Sequence, residues 1–346
     1  MKELILADST GKELGYLLFT SYDFEVGKED NSFEIKISRD EFKELPEKAR
    51  IYIPDTEYGG IVRRLNTNTA QGIICPGGMT WRGMLQGKRI KPPSGADYAT
   101  DSGELNTIVK ARVEERLPGL FVGTTESTGI YVSSYQYERY CTLEDGLTEL
   151  LKSKGYRLNL AYSAELKAVV ASAVPIVDYS SSVELSSDMR RDYTMQKQTD
   201  GVNHLVCLGK GELKNRTVYH LYTDADGNIG TTQHFFGADE IEDVFDYSGG
   251  ELPDLIQSGR ERLESLKSSN KFGMKIESNM EIGIGDIVGG RDYLSGMTMT
   301  APIAGKIVTW EKGSRRIEYK LEDNLTVAPA TAMLVAAVRL TKETEK

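Results

Sequence analysis

Ser32-Phe33-Glu34-Ile35-Lys36-Ile37 alternates apolar with polar residues without a break. Period two puts Phe33, Ile35 and Ile37 on one face of an extended chain and Glu34 and Lys36 on the other, the mark of a half-buried β-strand. Shorter β-rich pieces follow at Ile51-Tyr52-Ile53, Ile61-Val62 and Ile73-Ile74, punctuated by Ser9-Thr10-Gly11-Lys12, Gly59-Gly60 and Pro76-Gly77-Gly78. Many short strands between turn residues predict an antiparallel barrel or sandwich over residues 1–95. Only Ser38-Arg39-Asp40-Glu41-Phe42 suggests a brief helical turn there, and Lys91-Pro92-Pro93-Ser94-Gly95 ends the region.

The period then changes. Leu105, Ile108, Val109, Val113 and Leu117 share a helical face that stops at Pro118-Gly119, with Asp101 or Ser102 as the expected cap. Thr142-Leu143-Glu144-Asp145 has the form of a capping box, Leu143, Leu147, Leu150 and Leu151 form a stripe, and Lys152, Lys154 and Gly155 close a second helix. Strands flank it at 130–132, 156–160 and 167–171, so residues 96–179 read as an α+β domain. From 180 onward strands return at His204–Leu208 and Thr217–Thr223, with a hairpin turn at Asp226-Gly227. A helix near 251–268 interrupts, with Pro253 in its first turn and Leu252, Leu255, Ile256, Leu263 and Leu266 on one face beside Gly259. Gly285–Val288, Ile303–Trp310 and Ile317–Glu322 finish the chain as a meander, while Ala328–Leu340 reads equally as strand or helix. The expected fold is α+β and mainly β. Two antiparallel barrel-like domains, 1–95 and 180–346, enclose the α+β domain, and one helix is inserted in the second barrel.

The 346 residues allow two or three domains, and an apolar share of 39% suffices for a core. Lys+Arg 42 against Asp+Glu 52 gives a net charge of −10, which disfavours a sequence-independent grip on nucleic acid or on an anionic membrane. No apolar run approaches the roughly 18 residues of a membrane span, and an acidic residue precedes any signal-length apolar stretch, so synthesis in the cytoplasm is expected. Cys75, Cys141 and Cys207 form no C-x-x-C pair and are odd in number, which predicts buried thiols in a reducing compartment. Asn215-Arg216-Thr217 and Asn324-Leu325-Thr326 match the glycosylation pattern by chance if no secretory route exists.

Chemistry-bearing patterns are sparse. His204, His220 and His234 have neither helical pairing nor a carboxylate at motif distance, and they read as ordinary strand histidines rather than metal ligands. Asp224-Ala225-Asp226-Gly227-Asn228 departs from a calcium loop, with glycine too early and Phe235 where a bidentate Glu is needed, so a hairpin turn is expected. No G-x-S-x-G is present, and Gly209-Lys210-Gly211 and Gly289-Gly290 lack the Walker lysine pattern. Convergence of two carboxylates in a cleft, as glycoside hydrolysis needs, stays open. No catalytic, cofactor-binding or metal-ligating residue is expected, and no cofactor. The 18 tyrosines against 9 phenylalanines suit wet-edged interfaces as well as ordinary strands. Antiparallel sheets leave edges that ring assemblies satisfy with a neighbouring subunit.

The order of segments resembles a known family. Strands around Leu4–Leu18, then Ser32–Ile37, Ile51-Tyr52-Ile53 and Gly60-Ile61-Val62, lead into Gly78-Met79-Thr80-Trp81-Arg82-Gly83-Met84-Leu85-Gln86-Gly87-Lys88-Arg89-Ile90. This resembles phage tail hub (baseplate hub) proteins and the N-terminal hub region of tail-associated lysins, where a strand-rich barrel leads to a glycine, a short helix with a Leu, and an Arg-Ile pair. Ile284-Gly285-Asp286-Ile287-Val288, Ala301-Pro302-Ile303 to Trp310 and Tyr319-Lys320-Leu321 look like the closing barrel of the same proteins. The positions most like the family's motifs are Trp81, Leu85, Arg89, Gly285 and Asp286. The first three also read as packing of the first barrel, and Asp286 as a turn cap.

What the resemblance implies is a structural virion protein, a late product acting in DNA ejection. It would be a homotrimer at the tail tip of a long-tailed phage, a prophage or a tail-like particle, joining tube to tip. Paired barrels would continue the hexameric tube while the α+β domain projects outward. Implied partners are the tail tube, distal tail and tape measure proteins and further tail-tip proteins. DNA would pass through an acidic channel without specific binding. With Lys346 soon after the last barrel, the enzymatic extension of many relatives is expected to be missing, and with it receptor recognition. The alternative is a tail-tip cell-wall hydrolase or a carbohydrate- or receptor-binding module.

Overall fold

The alternation becomes a run of strands in a computed structural model, which describes residues 4–27, 30–180, 192–197, 200–248, 251–267, 270–276, 281–291 and 298–322. The strands are β1 (Ile5–Ala7), β2 (Glu13–Tyr16), β3 (Ser21–Gly27), β4 (Ser32–Ser38), β5 (Arg50–Tyr52), β6 (Gly59–Asn68) and β7 (Ile73–Thr80), followed by helix α1 (Trp81–Gln86). Then come β8 (Thr100–Glu104), α2 (Leu105–Arg116), β9 (Phe121–Gly123), β10 (Tyr131–Gln136), α3 (Leu143–Lys152), β11 (Tyr156–Ser163) and β12 (Ala168–Pro175). The remainder forms β13 (Asp192–Lys197), β14 (His204–Leu208), β15 (Val218–Thr223), β16 (Ile229–Gly230), β17 (Glu242–Asp246), α4 (Leu252–Leu266), β18 (Asn270–Ile276), β19 (Ile287–Arg291), β20 (Thr298–Glu311) and β21 (Ser314–Leu321). The fold is mainly β, with 4 α-helices among the described residues. Ala328–Leu340 lies outside them.

Contacts group the chain into two units. The first holds residues up to Asp192 with Met274–Val288 and Pro302–Glu322, and the second holds Tyr193–Gly273 and Gly289–Ala301. The sequence division at 95 and 179 follows chain order, whereas the contacts join the closing hairpin to the opening strands.

In the first unit an antiparallel path runs β21-β20-β3-β4-β7-β6-β5-β1-β2. Val308 lies opposite Phe24, and Phe24 opposite Phe33, whose rings stack at 5.6 Å. Tyr22, Phe24 and Val26 are buried with Phe33, Ile35 and Ile37, as alternation requires, while Asp23 and Lys36 of the opposite face are exposed. Among the described residues this path has two ends and does not close, so no barrel is formed by residues 1–95 alone. β4 continues through Ser38 and then turns, so the helix of this region is α1 and not Ser38–Phe42.

Helices α1, α2 and α3 pack with the β11-β12-β9 sheet around Trp81, Leu85, Val109, Phe121, Leu147, Leu151 and Tyr162. The α3 cap is the one expected: the Thr142 hydroxyl accepts from the Asp145 N–H at 2.9 Å. The α2 cap is Glu104 rather than Asp101 or Ser102, because those two lie in β8, which pairs with β10. Glu104 accepts from the Thr107 N–H at 2.9 Å and the Thr128 N–H at 2.7 Å.

The second unit contains the sheet β16-β15-β14-β17, in which only the β14-β17 pair is parallel. Leu255 and Leu263 of α4 cover Leu205, Cys207 and Leu221. Gly259 is the contact point, since a Cβ there would meet the Cys207 sulfur at 2.6 Å. Asp224 spends its carboxylate inside the β15-β16 turn, accepting from the N–H groups of Asp226 and Asn228, which makes the hairpin expected there. Cys75 and Cys207 are buried and Cys141 is half-buried, all as free thiols.

Candidate functional site

Thr80 ends β7 and caps α1, accepting from the Gly83 N–H with its hydroxyl. This strand-to-helix corner fixes what the Gly-Met-Thr-Trp-Arg-Gly-Met-Leu run does. Trp81 is fully buried, stacked on Tyr162 at 5.2 Å, and Leu85 is buried in the same core. Arg89 is exposed and donates to the Gln86 carbonyl at 2.7 Å, away from both. Its neighbours tie the corner to α3: the Ile90 N–H donates to the Cys141 carbonyl and the Leu143 N–H to the Lys88 carbonyl.

The residue between Trp81 and Gly83 carries the site's charge. Arg82 is 2% exposed and reaches Glu57 at 3.1 Å, Glu144 at 3.2 Å and the Leu158 carbonyl at 3.3 Å. Glu57 also meets Lys306 of β20 at 2.8 Å, and Lys306 is itself 4% exposed. Four buried charges therefore bind segments that are distant in sequence. Burial alone would raise the Glu57 pKa, but Lys306 and Arg82 outweigh it and hold the carboxyl at about 2. Glu144 goes the other way: its burial outweighs its share of Arg82, and its pKa is raised.

Gly285 and Asp286 form a second anchor beside this network. Asp286 is 1% exposed and accepts from Arg157 Nε at 2.7 Å, the Val177 N–H at 2.9 Å and the Gly283 N–H at 2.9 Å. It caps its own turn, as its sequence position suggests, and also clamps that turn to β11 and the end of β12. Gly285 sits at φ +93° with Arg157 against it, where a Cβ would lie 3.0 Å from the Arg157 Cβ. A polar cleft of about 260 Å³ runs between the two anchors, lined by Asp55, Glu57, Arg82, Arg157, Glu281 and Lys306 among others. The structure thus brings Trp81 and Leu85 together and Gly285 and Asp286 together, and it leaves Arg89 apart. Arg82, Glu57 and Lys306 carried no signal in the sequence, and Glu144 only as part of the α3 capping box, because a lone charge reads as solvated.

Two surfaces complete the inventory. β2 ends the sheet path of the first unit with all four residues exposed, and Leu14, Tyr16 and Leu18 lie 51%, 71% and 60% open. Across the solvent face of β3 and β4, a groove of about 830 Å³ is lined by Asp23, Glu25, Glu34 and Lys36, with Phe19 and Trp310 half-buried at its side. In the second unit, His204 and His220 meet on adjacent strands while His234 is exposed and outside that pair. His204 also faces Glu240 and Glu242, the one group among the described residues whose atoms could hold a metal ion.

No family model matches the chain and no curated protein does. Solved structures do. The 43 kDa tail protein of prophage MuSo2 from Shewanella oneidensis is similar at a TM-score of 0.51 and 13% identity, covering 93% of this chain and 98% of that one. The tail protein of Neisseria meningitidis MC58 follows at 0.49 and 14%, covering 93% and 96%. The prophage tail protein gp18 of Listeria monocytogenes EGD-e stands at 0.46 and 13%, covering 98% and 99%. The likeness to the MuSo2 protein spans nearly the whole of both chains at an identity too low for sequence comparison alone. The chain has the fold of a phage tail protein, as the order of its sequence motifs implied.

Proposed function

We propose that the chain is a structural virion protein, the trimeric hub at the tip of a phage-type tail. It joins the tail tube to the tip and forms part of the channel through which DNA passes. The observation that carries this reading is the fold shared with the MuSo2 prophage tail protein over nearly the full length of both chains. In it, residues 1–95 and 180–346 supply the tube-continuing barrels, closed in the assembled ring, and 96–179 the peripheral domain. The protein is made in the host cytoplasm and takes its place among tube, distal tail, tape measure and further tail-tip proteins.

Two features support assembly over catalysis. The end strand β2, which pairs only with β1 among the described residues, also exposes Leu14 and Tyr16, a combination that an isolated soluble subunit avoids and a neighbouring copy covers. The net charge of −10 disfavours a grip on a passing duplex, whereas the groove face of β3 and β4 mixes Asp23, Glu25 and Glu34 with Lys36, Arg64 and Lys312. The buried charges at Arg82 tie strands together and serve here as scaffold.

Native mass spectrometry of the full chain, alone and with its tail-tube partner, tests the reading. A trimer that Tyr16→Lys dissociates is expected, with electron microscopy locating the protein at the tail tip. A monomer in both samples, or label along the tube, overturns it. One observation favours a second reading as a carbohydrate-binding module: Phe19 and Trp310, 4.9 Å apart edge to face beside carboxylates, could receive a sugar ring. Retention on peptidoglycan that Trp310→Ala abolishes would select it, and release of soluble fragments would select a cell-wall hydrolase.

A further inference from the structure

The second unit contains a cluster to which the tail reading gives no task. The β14-β17 pairing sets His204 opposite Glu242, and the turn before β17 delivers Glu240. His204 Nδ1 lies 2.7 Å from Glu240 Oε1 and 3.0 Å from Glu242 Oε1. These three atoms lie within 4.8 Å of one another. We propose that His204, Glu240 and Glu242 are the ligands of a divalent transition-metal site of the Zn²⁺ class, one that closes the second unit's sheet.

The surroundings suit a metal. When Nδ1 of an imidazole binds a metal, the other ring nitrogen carries the proton and needs an acceptor. His204 Nε2 has one: the Nδ1 of His220 at 2.8 Å. Gln233 Nε2 donates to Glu240 Oε1 at 2.7 Å, which orients the carboxylate, and Tyr222 stacks on the His204 ring at 4.3 Å and fixes its plane. The His204 side chain is 8% exposed, whereas that of Glu242 is 60% exposed, so an ion enters from the Glu242 side and keeps water there. In the bound neutral ring Nδ1 holds the metal and the proton sits on Nε2, facing His220. The ligand atoms then spread from 2.7 and 3.0 Å to the edge of about 3.3 Å that metal–ligand bonds of about 2.0–2.2 Å dictate. An imidazole with two carboxylates selects a borderline ion over Ca²⁺ or Mg²⁺, which prefer all-oxygen shells.

The site stands on this geometry alone and not on the tail assignment. Its test is calorimetric titration of the EDTA-treated, dialysed full chain with Zn²⁺, followed by absorption spectra with Co²⁺. One equivalent is expected to bind. Affinity should fall about tenfold or more in His204→Ala and in Glu242→Gln, while His234→Ala keeps it. Because Glu242 is exposed, Glu242→Gln leaves the sheet intact, and circular dichroism confirms that. Co²⁺ should give a visible band that the same variants lose, and Ca²⁺ should give no heat. Absence of Zn²⁺ binding, or binding that survives both His204→Ala and Glu242→Gln, overturns the site and leaves His204 a hydrogen-bonded strand histidine.

Discussion

The two units are held together in different ways, the first with a large apolar core that also contains charges and the second with a small aliphatic one. In the first, Arg82, Glu57, Glu144 and Lys306 are buried charges that link β20, α1, α3 and the loop before β6. In the second, five buried side chains, Leu205, Cys207, Leu221, Leu255 and Leu263, form a cluster in which helix and strands lie close in sequence. A buried ion pair is expensive to desolvate and weak as net stabilisation, yet very costly to break, so it enforces one arrangement of its segments. A small aliphatic core has few other contacts to fall back on, so a change of volume at one side chain is felt by the whole cluster. The first unit should therefore respond steeply to single charge changes and the second to single volume changes.

Arg82→Met is the largest perturbation this comparison offers. It leaves Glu144 buried without a cation and Glu57 with Lys306 only, and should cost about 3–5 kcal/mol in denaturant unfolding. A loss below 1 kcal/mol would mean that the network relaxes into water. Acid gives the same contrast a pH axis. Glu57 is held at about 2, against its ordinary 4.5, so its contribution is complete above about pH 4.5 and is lost as pH falls toward 2. Glu144, raised by burial, acts in the opposite sense, since its protonation favours the folded state as pH falls. Glu57→Gln should flatten the acid limb of the stability curve while lowering its neutral plateau.

Gly259→Ala probes the second unit. In a free helix the change would gain up to about 1 kcal/mol. Here the new Cβ meets the Cys207 sulfur at 2.6 Å and the Leu221 Cδ1 at 3.0 Å. Overpacking costs about 1–3 kcal/mol, so the sign should be destabilising. Hydrogen exchange should quicken in β14 and β15 and stay unchanged at β3 and β4. Faster exchange everywhere would show that the two units unfold together.

The contrast also explains what the sequence could tell. The α3 cap at Thr142 and the face of α4 are local, because every group that decides them lies within four or five residues. Pairing partners are not local: nothing in Ile303–Trp310 names β3 as its neighbour, although Trp310 lies opposite Tyr22. The same holds for His204 and Glu242, which a parallel pair brings together across an intervening hairpin. Trp81 and Leu85 were legible as packing residues, and their short helix only through the family resemblance, while Arg82 between them carried no signal. Open rather than closed sheets follow from the same ignorance of partners, since period two fixes a strand's faces and leaves its neighbours unspecified.

The smallest predicted effect has the sign that is hardest to guess from contacts. Asp23 of β3 sits directly opposite Glu34 of β4, a like-charge cross-strand pair, with Glu25 next on the same face. Its carboxyl pKa is raised, first by partial burial in the groove and then by Glu25 and Glu34, with Lys36 only partly offsetting them. A raised acid is charged at neutral pH against its environment, so Asp23→Asn should stabilise the fold there. The gain should be about 0.2–1 kcal/mol, the range for a cross-strand pair. It should shrink as pH falls through the carboxyl's raised range and shrink again at high salt, because the face is open to solvent. Destabilisation instead would mean that the Asp23 charge has a favourable partner within the folded chain. If stabilisation is seen, the like-charge pair of Asp23 and Glu34 is being kept at a cost to the folded chain. In the proposed ring that cost has a rationale if the pair faces a passing polyanion, and Asp23→Asn should then slow DNA ejection while raising the melting temperature.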